Sequence, residues 1–203
     1  LMEYEALERV LGHAFRNRAL LETALTHTSF ANEARHGTKH NERLEFLGDS
    51  VLSIVVAEYL FTHSSLPEGD LTRMRASLVC EAALFGFAQK IDLGRWLRLG
   101  HGEELGGGRT RPSVVSDAFE AVIAALYLDG GIEAARAFIL PFVTSALTKQ
   151  SAEEDYKTKL QEIVQQNPSE RLRYVVASQT GPDHDKHFVV EVHLNSNCIG
   201  SGE

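Results

Sequence analysis

Apolar residues recur at three- and four-residue intervals through most of the chain, up to about residue 149. An α-helix turns once every 3.6 residues, so this spacing gathers the apolar side chains on one face and predicts helices. The predicted helices span residues 5–11, 18–25, 42–61, 67–79, 80–91, 114–128 and 132–147. Gly-rich or polar connectors separate them, chiefly at 32–39, 63–65 and 100–112. The pattern therefore predicts an all-helical unit over residues 1–149.

The pattern changes beyond residues 150–155, a polar stretch that is typical of a linker. Residues 156–166 keep the helical spacing, whereas 172–179 and 187–194 alternate as strands do. Turn residues lie between these strands and again at 195–197, before a short strand at 198–200. Residues 156–203 are therefore predicted to form a helix followed by a three-stranded antiparallel sheet.

Three carboxylates interrupt the apolar pattern of the predicted helix 42–61. Glu42, Glu45 and Asp49 fall within roughly 60° of one another on one helical face. Carboxylates gathered on an apolar helix repel one another and lose hydration, so they tend to protonate or to surround cations. Oxygen ligands suit Mg²⁺ or Mn²⁺ better than Zn²⁺. The alternative is an acidic face that is simply solvated.

A second acidic pair lies in the predicted helix 114–128. Asp117 and Glu120 are three residues apart and therefore share a face, in a segment that is otherwise small or apolar. An acid near a helix N-terminus also complements the helix dipole, which explains Asp117 equally well. The same explanation suits Glu120 less well, so the pair strengthens the hypothesis of a cation site.

Composition argues against a membrane-spanning or secreted protein. The 203 residues carry a net charge of −8, contain no apolar run long enough for a membrane span, and begin with no signal-peptide pattern. Cys80 and Cys198 are far apart and lack metal-type spacing, which predicts two inert thiols and a cytoplasmic location. The negative charge does not exclude a nucleic-acid partner, because bound cations partly neutralise carboxylate ligands.

Several motifs together resemble a known family. Residues 40–50 read HNERLEFLGDS, which resembles the signature of ribonuclease III, and PEGDLTRMRA at 67–76 and DAFEA at 117–121 match its other acidic motifs in order. Residues 156–203 resemble that family's double-stranded-RNA-binding domain. The resemblance to a bacterial-type ribonuclease III implies a mainly α fold. An all-helical nuclease domain at 1–149 would precede an incomplete α-β-β-β(-α) RNA-binding domain.

The resemblance also implies roles for the acids. Four match the acids that hold catalytic Mg²⁺, for which Mn²⁺ can substitute: Glu45, Asp49, Asp117 and Glu120. Glu42 and Glu68 match a further pair that lines the cleft. Phe46 matches an aromatic residue that inserts into the partner subunit of a homodimer, and a place in the helix core is the alternative.

The implied activity is Mg²⁺-dependent hydrolysis of double-stranded RNA by a homodimer, without a small-molecule cofactor or a membrane. The expected products have 5′-phosphate and 3′-hydroxyl ends with short 3′ overhangs, and precursors of ribosomal RNA and other structured RNAs are the expected substrates. Two alternatives stay open: a non-catalytic RNA-binding relative and a plain dimerisation module. Non-catalytic relatives lose acids, whereas this chain has all six.

RNA contacts are implied in both domains. Gln161 and Gln165, one helical turn apart, match positions that reach an RNA minor groove, and His184 matches a loop residue that reaches a second one. Arg109 and Arg111 follow a Gly-rich run and are candidates for phosphate contacts. For all of these residues, the alternative is an ordinary solvated side chain.

One departure from the family concerns the C-terminus. The chain ends at Glu203, where the family would continue into a Lys-rich helix that covers the strands and binds phosphates. The expectation is that the chain is a fragment whose second domain is loosely held.

Overall fold

The structure is a computed structural model that describes residues 4–34, 37–165, 167, 170–180 and 186–202, without side-chain detail at 150–159 and 162. Residue contacts divide the chain into two compact units, Leu1–Ala146 and Leu147–Glu203. The helices are α1 Tyr4–Leu11, α2 Arg18–Ala24, α3 Thr28–Glu33, α4 Glu42–His63, α5 Glu68–Val79, α6 Glu81–Lys90, α7 His101–Leu105 and α8 Pro112–Gln165. Short 3₁₀ helices span Leu93–Trp96 and Gly108–Thr110.

The mainly α fold class is confirmed, and the predicted long helices are present. Gly131, with φ 76° and ψ −175°, interrupts α8 between the predicted helices 114–128 and 132–147. Glycine adopts this backbone conformation without the strain that a Cβ would add, so the helical run can break there. Two short helices were not predicted: α3, and α7 inside the predicted connector 100–112.

The predicted linker at 150–155 is helical rather than irregular, because it lies inside α8. Its residues include neither glycine nor proline, so nothing in the stretch breaks a helix. The placement of a domain boundary at these residues stays a prediction. Within the described residues, no helix combines the length and the apolar character that crossing a membrane requires.

The first half of α8 forms the centre of the helical unit. Its residues from Ala121 to Leu126 are completely buried, which accounts for an apolar character on every side of this helix. Phe119 packs against other rings, with its centroid 5.2 Å from that of Phe138 and 5.5 Å from that of Phe142. Helix α4 contributes a buried face that includes Val51, Leu52, Val55 and Val56. The core therefore fixes both helices that carry the predicted acids.

An extended segment brings chain-distant elements together beside α4. Leu25 and His27 exchange backbone hydrogen bonds with Arg98, at N–O distances of 2.8 and 3.0 Å. The backbone N–H of Asn41, which precedes α4, donates to the carbonyl of Thr26 at 2.9 Å. These bonds hold the start of α3 next to the start of α4.

The second unit contains a three-stranded antiparallel sheet in the order β1 Leu172–Thr180, β2 His187–Leu194 and β3 Asn197–Gly202. Leu194 pairs with Asn197 at the end of the β2–β3 hairpin, and Asn195 takes the left-handed conformation with φ 56°. Such a φ at a tight hairpin turn suits asparagine. The predicted turn at 181–183 lies outside the described residues.

Asp129 is a buried residue whose carboxylate connects α8 by hydrogen bonds to the segment between α1 and α2. It is 5% exposed and accepts backbone N–H groups of Arg16 and Asn17 at 3.0 and 2.8 Å, and its carboxylate lies 2.8 Å from His13 Nε2. We predict that Asp129→Ala lowers the free energy of unfolding by about 2 kcal/mol, because these donors lose their acceptor. Urea denaturation measures the change.

The matched control is Glu133→Ala on the same helix, where the carboxylate is exposed and pairs with Arg136. Removing an exposed ion pair should change stability by about 0.5 kcal/mol or less. Equal losses in the two variants would contradict a structural role for Asp129.

Candidate metal centre

Gly48 allows α4 to approach α8 at the point where the predicted acids meet. A Cβ added at Gly48 would overlap the backbone carbonyl of Glu120, so a larger residue does not fit this crossing. Glu45 and Asp49 lie on α4 on either side of this glycine, and Asp117 and Glu120 lie on α8. The close crossing therefore places acids of both helices next to each other.

Three of the four predicted metal acids form a compact group. One carboxylate oxygen from each of Glu45, Asp117 and Glu120 lies within 4.8 Å of the others, and all three side chains are part-buried. An oxygen-only donor set at this spacing fits a hard divalent cation such as Mg²⁺ or Mn²⁺. Asp49 is exposed and lies outside this group, but its charge acts on Glu120.

The raised pKa values of these acids show that their charged forms are unfavourable in this group. Burial, followed by the charges of Asp49, Glu45 and Asp117, raises the pKa of Glu120 to about 8. Burial also raises the pKa of Glu45, with further contributions from Asp117 and Glu42. A bound cation would relieve this repulsion, so the group has the properties of a cation site.

Two neighbours of the group were missed by the sequence analysis. Burial and then the charge of Glu81 raise the pKa of Asp117, while His27 acts in the opposite direction. Glu81 is the first residue of α6, and His27 precedes α3, where its Nδ1 accepts the backbone N–H of Ser29 at 3.3 Å. Neither belongs to an acidic motif, so only the packing of these elements brings them near Asp117.

The two outer acids take different surroundings. The carboxylate of Glu42 is exposed and lies 3.7 Å from His40 Nδ1, and its charge contributes to the raised pKa of Glu45. Glu68 begins α5 and accepts a hydrogen bond from the Thr72 hydroxyl at 2.9 Å. Neither acid belongs to the compact group, and their role in lining a cleft stays a prediction.

Arg109 and Arg111 both have intramolecular partners. Arg109 forms a bidentate salt bridge with Glu104, with both N–O distances at 2.6 Å. Its Nη1 also donates hydrogen bonds to the backbone carbonyls of Gly94, Arg95 and Leu97. Arg111 pairs with Glu103 and donates to the carbonyl of Gly106 at 2.9 Å. These bonds fix the Gly-rich segment, a structural role that the sequence did not predict. RNA contact by the two arginines stays a prediction.

The other predicted RNA contacts lie in the second unit. Gln161 and Gln165 are exposed and one turn apart on α8, as their spacing predicts. His184 lies outside the described residues. RNA binding by all three side chains stays a prediction.

Phe46 lies outside the core, and the alternative interpretation of it as a core residue is wrong. Its side chain is 79% exposed, although the neighbouring Leu44 is buried. Phe61 and Ile54, also on α4, are 77% and 58% exposed. Large apolar side chains that face solvent on one helix are typical of a surface that contacts another protein.

The chain is similar to proteins of known family. Residues 17–147 match the family described as Ribonuclease-III-like, and residues 156–203 match the double-stranded RNA binding motif. The chain is 46% identical to Ribonuclease 3 of Caldanaerobacter subterraneus subsp. tengcongensis, over 97% of this chain and 88% of that protein. It is 48% identical to Ribonuclease 3 of Desulforamulus reducens, over 97% of this chain and 82% of that protein.

A solved structure is also similar. The nuclease domain of ribonuclease III from Campylobacter jejuni superposes with a TM-score of 0.65 at 42% identity, covering 70% of this chain and 97% of that one. The chain belongs to the ribonuclease III family. With a nuclease domain of this family and a double-stranded RNA binding motif, it is a double-stranded-RNA endoribonuclease.

We predict that Gly48→Ala destabilises this ribonuclease III relative by about 3 kcal/mol or more, because the added methyl group forces α4 away from α8. The same displacement should weaken divalent-cation binding. Thermal unfolding and cation titration measure the two effects.

Gly86→Ala is the matched control, because Gly86 also lies within a helix but a Cβ there meets nothing within 4 Å. This substitution should be neutral or stabilise the protein by about 0.5 to 1 kcal/mol through helix propensity. A Gly48→Ala protein as stable as Gly86→Ala would contradict the close crossing.

Stability in EDTA should fall as the pH rises. The folded-state pKa of Glu120 is about 8, above the ordinary value of 4.5, so the folded protein holds this proton more tightly than the unfolded chain. The resulting stabilisation is fully present below pH 4.5 and is lost as the pH approaches about 8. Glu120→Gln cannot ionise and should therefore be less sensitive to pH over this interval.

Denaturation at pH 5 and pH 8, at equal protein concentration, tests this expectation. At pH 8, the free energy of unfolding of Glu120→Gln should exceed that of the parent by about 1 kcal/mol, because the variant buries no charge at this position. The difference is this small because solvent screens a part-buried charge. The exposed Glu133→Gln is the control and should follow the parent. If the free energy of unfolding of the parent depended on pH no more than that of Glu120→Gln, the raised pKa of Glu120 would be refuted.

Proposed function

We propose that this ribonuclease III relative hydrolyses phosphodiester bonds of double-stranded RNA with Mg²⁺ held by Glu45, Asp117 and Glu120, joined by Asp49. The observation that carries the proposal is the convergence of carboxylates from α4 and α8, with oxygens within 4.8 Å of one another. Mn²⁺ has similar ligand preferences and should substitute. When bound, the divalent ion supplies Lewis acidity and charge stabilisation at the scissile phosphate.

The protein's own residues hold and orient this centre. The backbone contact between Gly48 and Glu120 fixes the two ligand-bearing helices, and the surrounding apolar core limits their movement. Glu42 and Glu68 line the cleft in this proposal and act on the reaction from outside the ligand set. No nucleophilic side chain is required, because water is the attacking group in hydrolysis.

RNA binding in this proposal involves both units. Gln161 and Gln165 are exposed, and their amide groups can pair with 2′-hydroxyls of a minor groove, with His184 reaching a second groove. Arg109 and Arg111 contribute positive charge to the nuclease unit while keeping their internal ion pairs. The match of 156–203 to the double-stranded RNA binding motif supports this part of the proposal.

We further propose a homodimer in which Phe46 inserts into the partner subunit. The large exposed fraction of Phe46 supports this role, because burial against a second copy removes that apolar surface from water. Each subunit then cuts one strand, which gives 5′-phosphate and 3′-hydroxyl ends with short 3′ overhangs. Precursors of ribosomal RNA and other structured RNAs are the proposed substrates.

Cleavage of long, end-labelled double-stranded RNA tests the metal assignment. Mg²⁺ should support cleavage, and EDTA should abolish it. Glu120→Gln should lower the cleavage rate by more than about a hundredfold, since even indirect metal contacts contribute 10- to 100-fold. RNA binding, measured by mobility shift in Ca²⁺, should persist in this variant because phosphate and groove contacts are unaffected.

Glu133→Gln on the same helix is the matched control and should cleave like the parent, because its carboxylate is exposed and lies outside the acidic group. A folded Glu120→Gln that cleaves at the parental rate would exclude Glu120 as a ligand. RNA binding without any metal-dependent product from the parent would favour a non-catalytic RNA-binding protein, and absence of both would favour a dimerisation module.

A further inference from the structure

A second group of metal-ligating side chains lies within the β-sheet. One ligand atom from each of Glu191, His193 and Cys198 falls within 4.8 Å of the others. Within the described part of the chain, this group and the acidic group of the nuclease unit are the sets of three such residues that meet this spacing. The two groups differ in their chemistry, because the sheet contributes sulfur and nitrogen as well as oxygen.

The strand geometry explains why these residues meet. Glu191 and His193 are two residues apart on β2, so their side chains project from the same face of the sheet. Cys198 on β3 is paired directly with His193 in the antiparallel register. Residues paired in this way have side chains on one face with Cβ atoms about 5 Å apart. The hairpin register therefore gathers ligands from two strands.

The three side chains of this group are accessible to solvent, and two of them contact each other. His193 Nε2 lies 2.8 Å from a carboxylate oxygen of Glu191, and the Cys198 thiol is exposed. Both His193 and Glu191 keep part of their side-chain surface open to solvent, at 24% and 37%. A cation can therefore reach the ligand atoms without rearrangement of the sheet.

The donor set selects a different cation from the carboxylate group. Thiolate and imidazole ligands suit Zn²⁺, whereas Mg²⁺ prefers oxygen ligands. Three protein ligands leave one position of a tetrahedral Zn²⁺ site for water. Cys198 lacks a metal-type spacing in the sequence, which predicted an inert thiol, but the strand register brings His193 and Glu191 next to it.

We propose that Glu191, His193 and Cys198 form a Zn²⁺ site on the β2–β3 hairpin. The ion replaces the proton between His193 and Glu191 and binds the Cys198 thiolate, so binding releases protons and weakens at low pH. It joins β2 to β3 next to the register shift between Val192 and His193. The site is independent of the proposed nuclease centre and of its hard cation.

Competition with a thiol reagent tests the site in the unmodified chain. Cys80 and Cys198 are both exposed, so Cys80 serves as a control in the same molecule. With Zn²⁺ at about ten times its Kd, alkylation of Cys198 by N-ethylmaleimide should slow about tenfold, because the metal-free fraction falls by that factor. Alkylation of Cys80 should be unchanged, and Mg²⁺ should protect neither thiol. Peptide mapping by mass spectrometry reports both rates.

Co²⁺ substitution identifies the ligands through the thiolate-to-metal charge-transfer absorption. Cys198→Ser should abolish this band, whereas Cys80→Ser should keep it. Glu191→Gln removes a proposed ligand and should weaken binding by more than roughly tenfold, since even indirect metal contacts contribute 10- to 100-fold. Glu120→Gln should leave the band unchanged, which separates this site from the nuclease centre. Circular dichroism verifies that each variant keeps its secondary structure.

Absence of protection at Cys198, or equal protection of Cys80, would overturn the proposal. A charge-transfer band that persists in Cys198→Ser, or disappears in Cys80→Ser, would also overturn it. Because these readouts do not depend on RNA cleavage, failure of the Zn²⁺ site and failure of the proposed nuclease mechanism are distinguishable.

Discussion

The close contact between the backbones of α4 and α8 at Gly48 determines the geometry of the nuclease unit. Without a side chain at this position, the carbonyl of Glu120 occupies space that a Cβ would fill. Helices normally keep their axes 8 to 10 Å apart, at a separation set by the side chains at the contact, so glycine permits a closer crossing. The carboxylates of Glu45, Asp117 and Glu120 then meet in one small volume, and their convergence depends on this approach.

This crossing holds together charges that would otherwise separate. The carboxylates of Glu45, Asp117 and Glu120 all have raised pKa values, first because burial disfavours their charged forms. Burial of the apolar segment of α8 and its aromatic contacts stabilise the fold and offset the unfavourable burial of these carboxylates. A folded scaffold that keeps carboxylates close together is preorganised to bind a cation, since little rearrangement is needed.

The chain places two chemically different donor sets on two kinds of secondary structure. In the nuclease unit, two crossing helices present carboxylate oxygens, one from Glu45 on α4 and two from Asp117 and Glu120 on α8. In the sheet, alternate residues on one strand and a paired residue on its neighbour present nitrogen, sulfur and oxygen. Ligand type separates the cations that each set prefers, so cations such as Mg²⁺ and Zn²⁺ need not compete for one position.

The sequence by itself predicted the long helices, the three strands and which acids share a helical face, because helical and strand periodicities are local properties. Glu45 and Asp49 share a face through spacing along one helix, and so do Asp117 and Glu120. The short helices α3 and α7 were missed, because helices of 6 and 5 residues are too short to establish a period.

Only the tertiary structure determined which distant residues meet. It brought Glu81 and His27 near Asp117, exposed Phe46, and gave Arg109 carbonyl partners that no local pattern indicates. It also paired Cys198 with His193 through the register of a hairpin. Local spacing determines which side chains share a face, whereas helix crossings and strand register, which depend on packing across the chain, determine which faces touch.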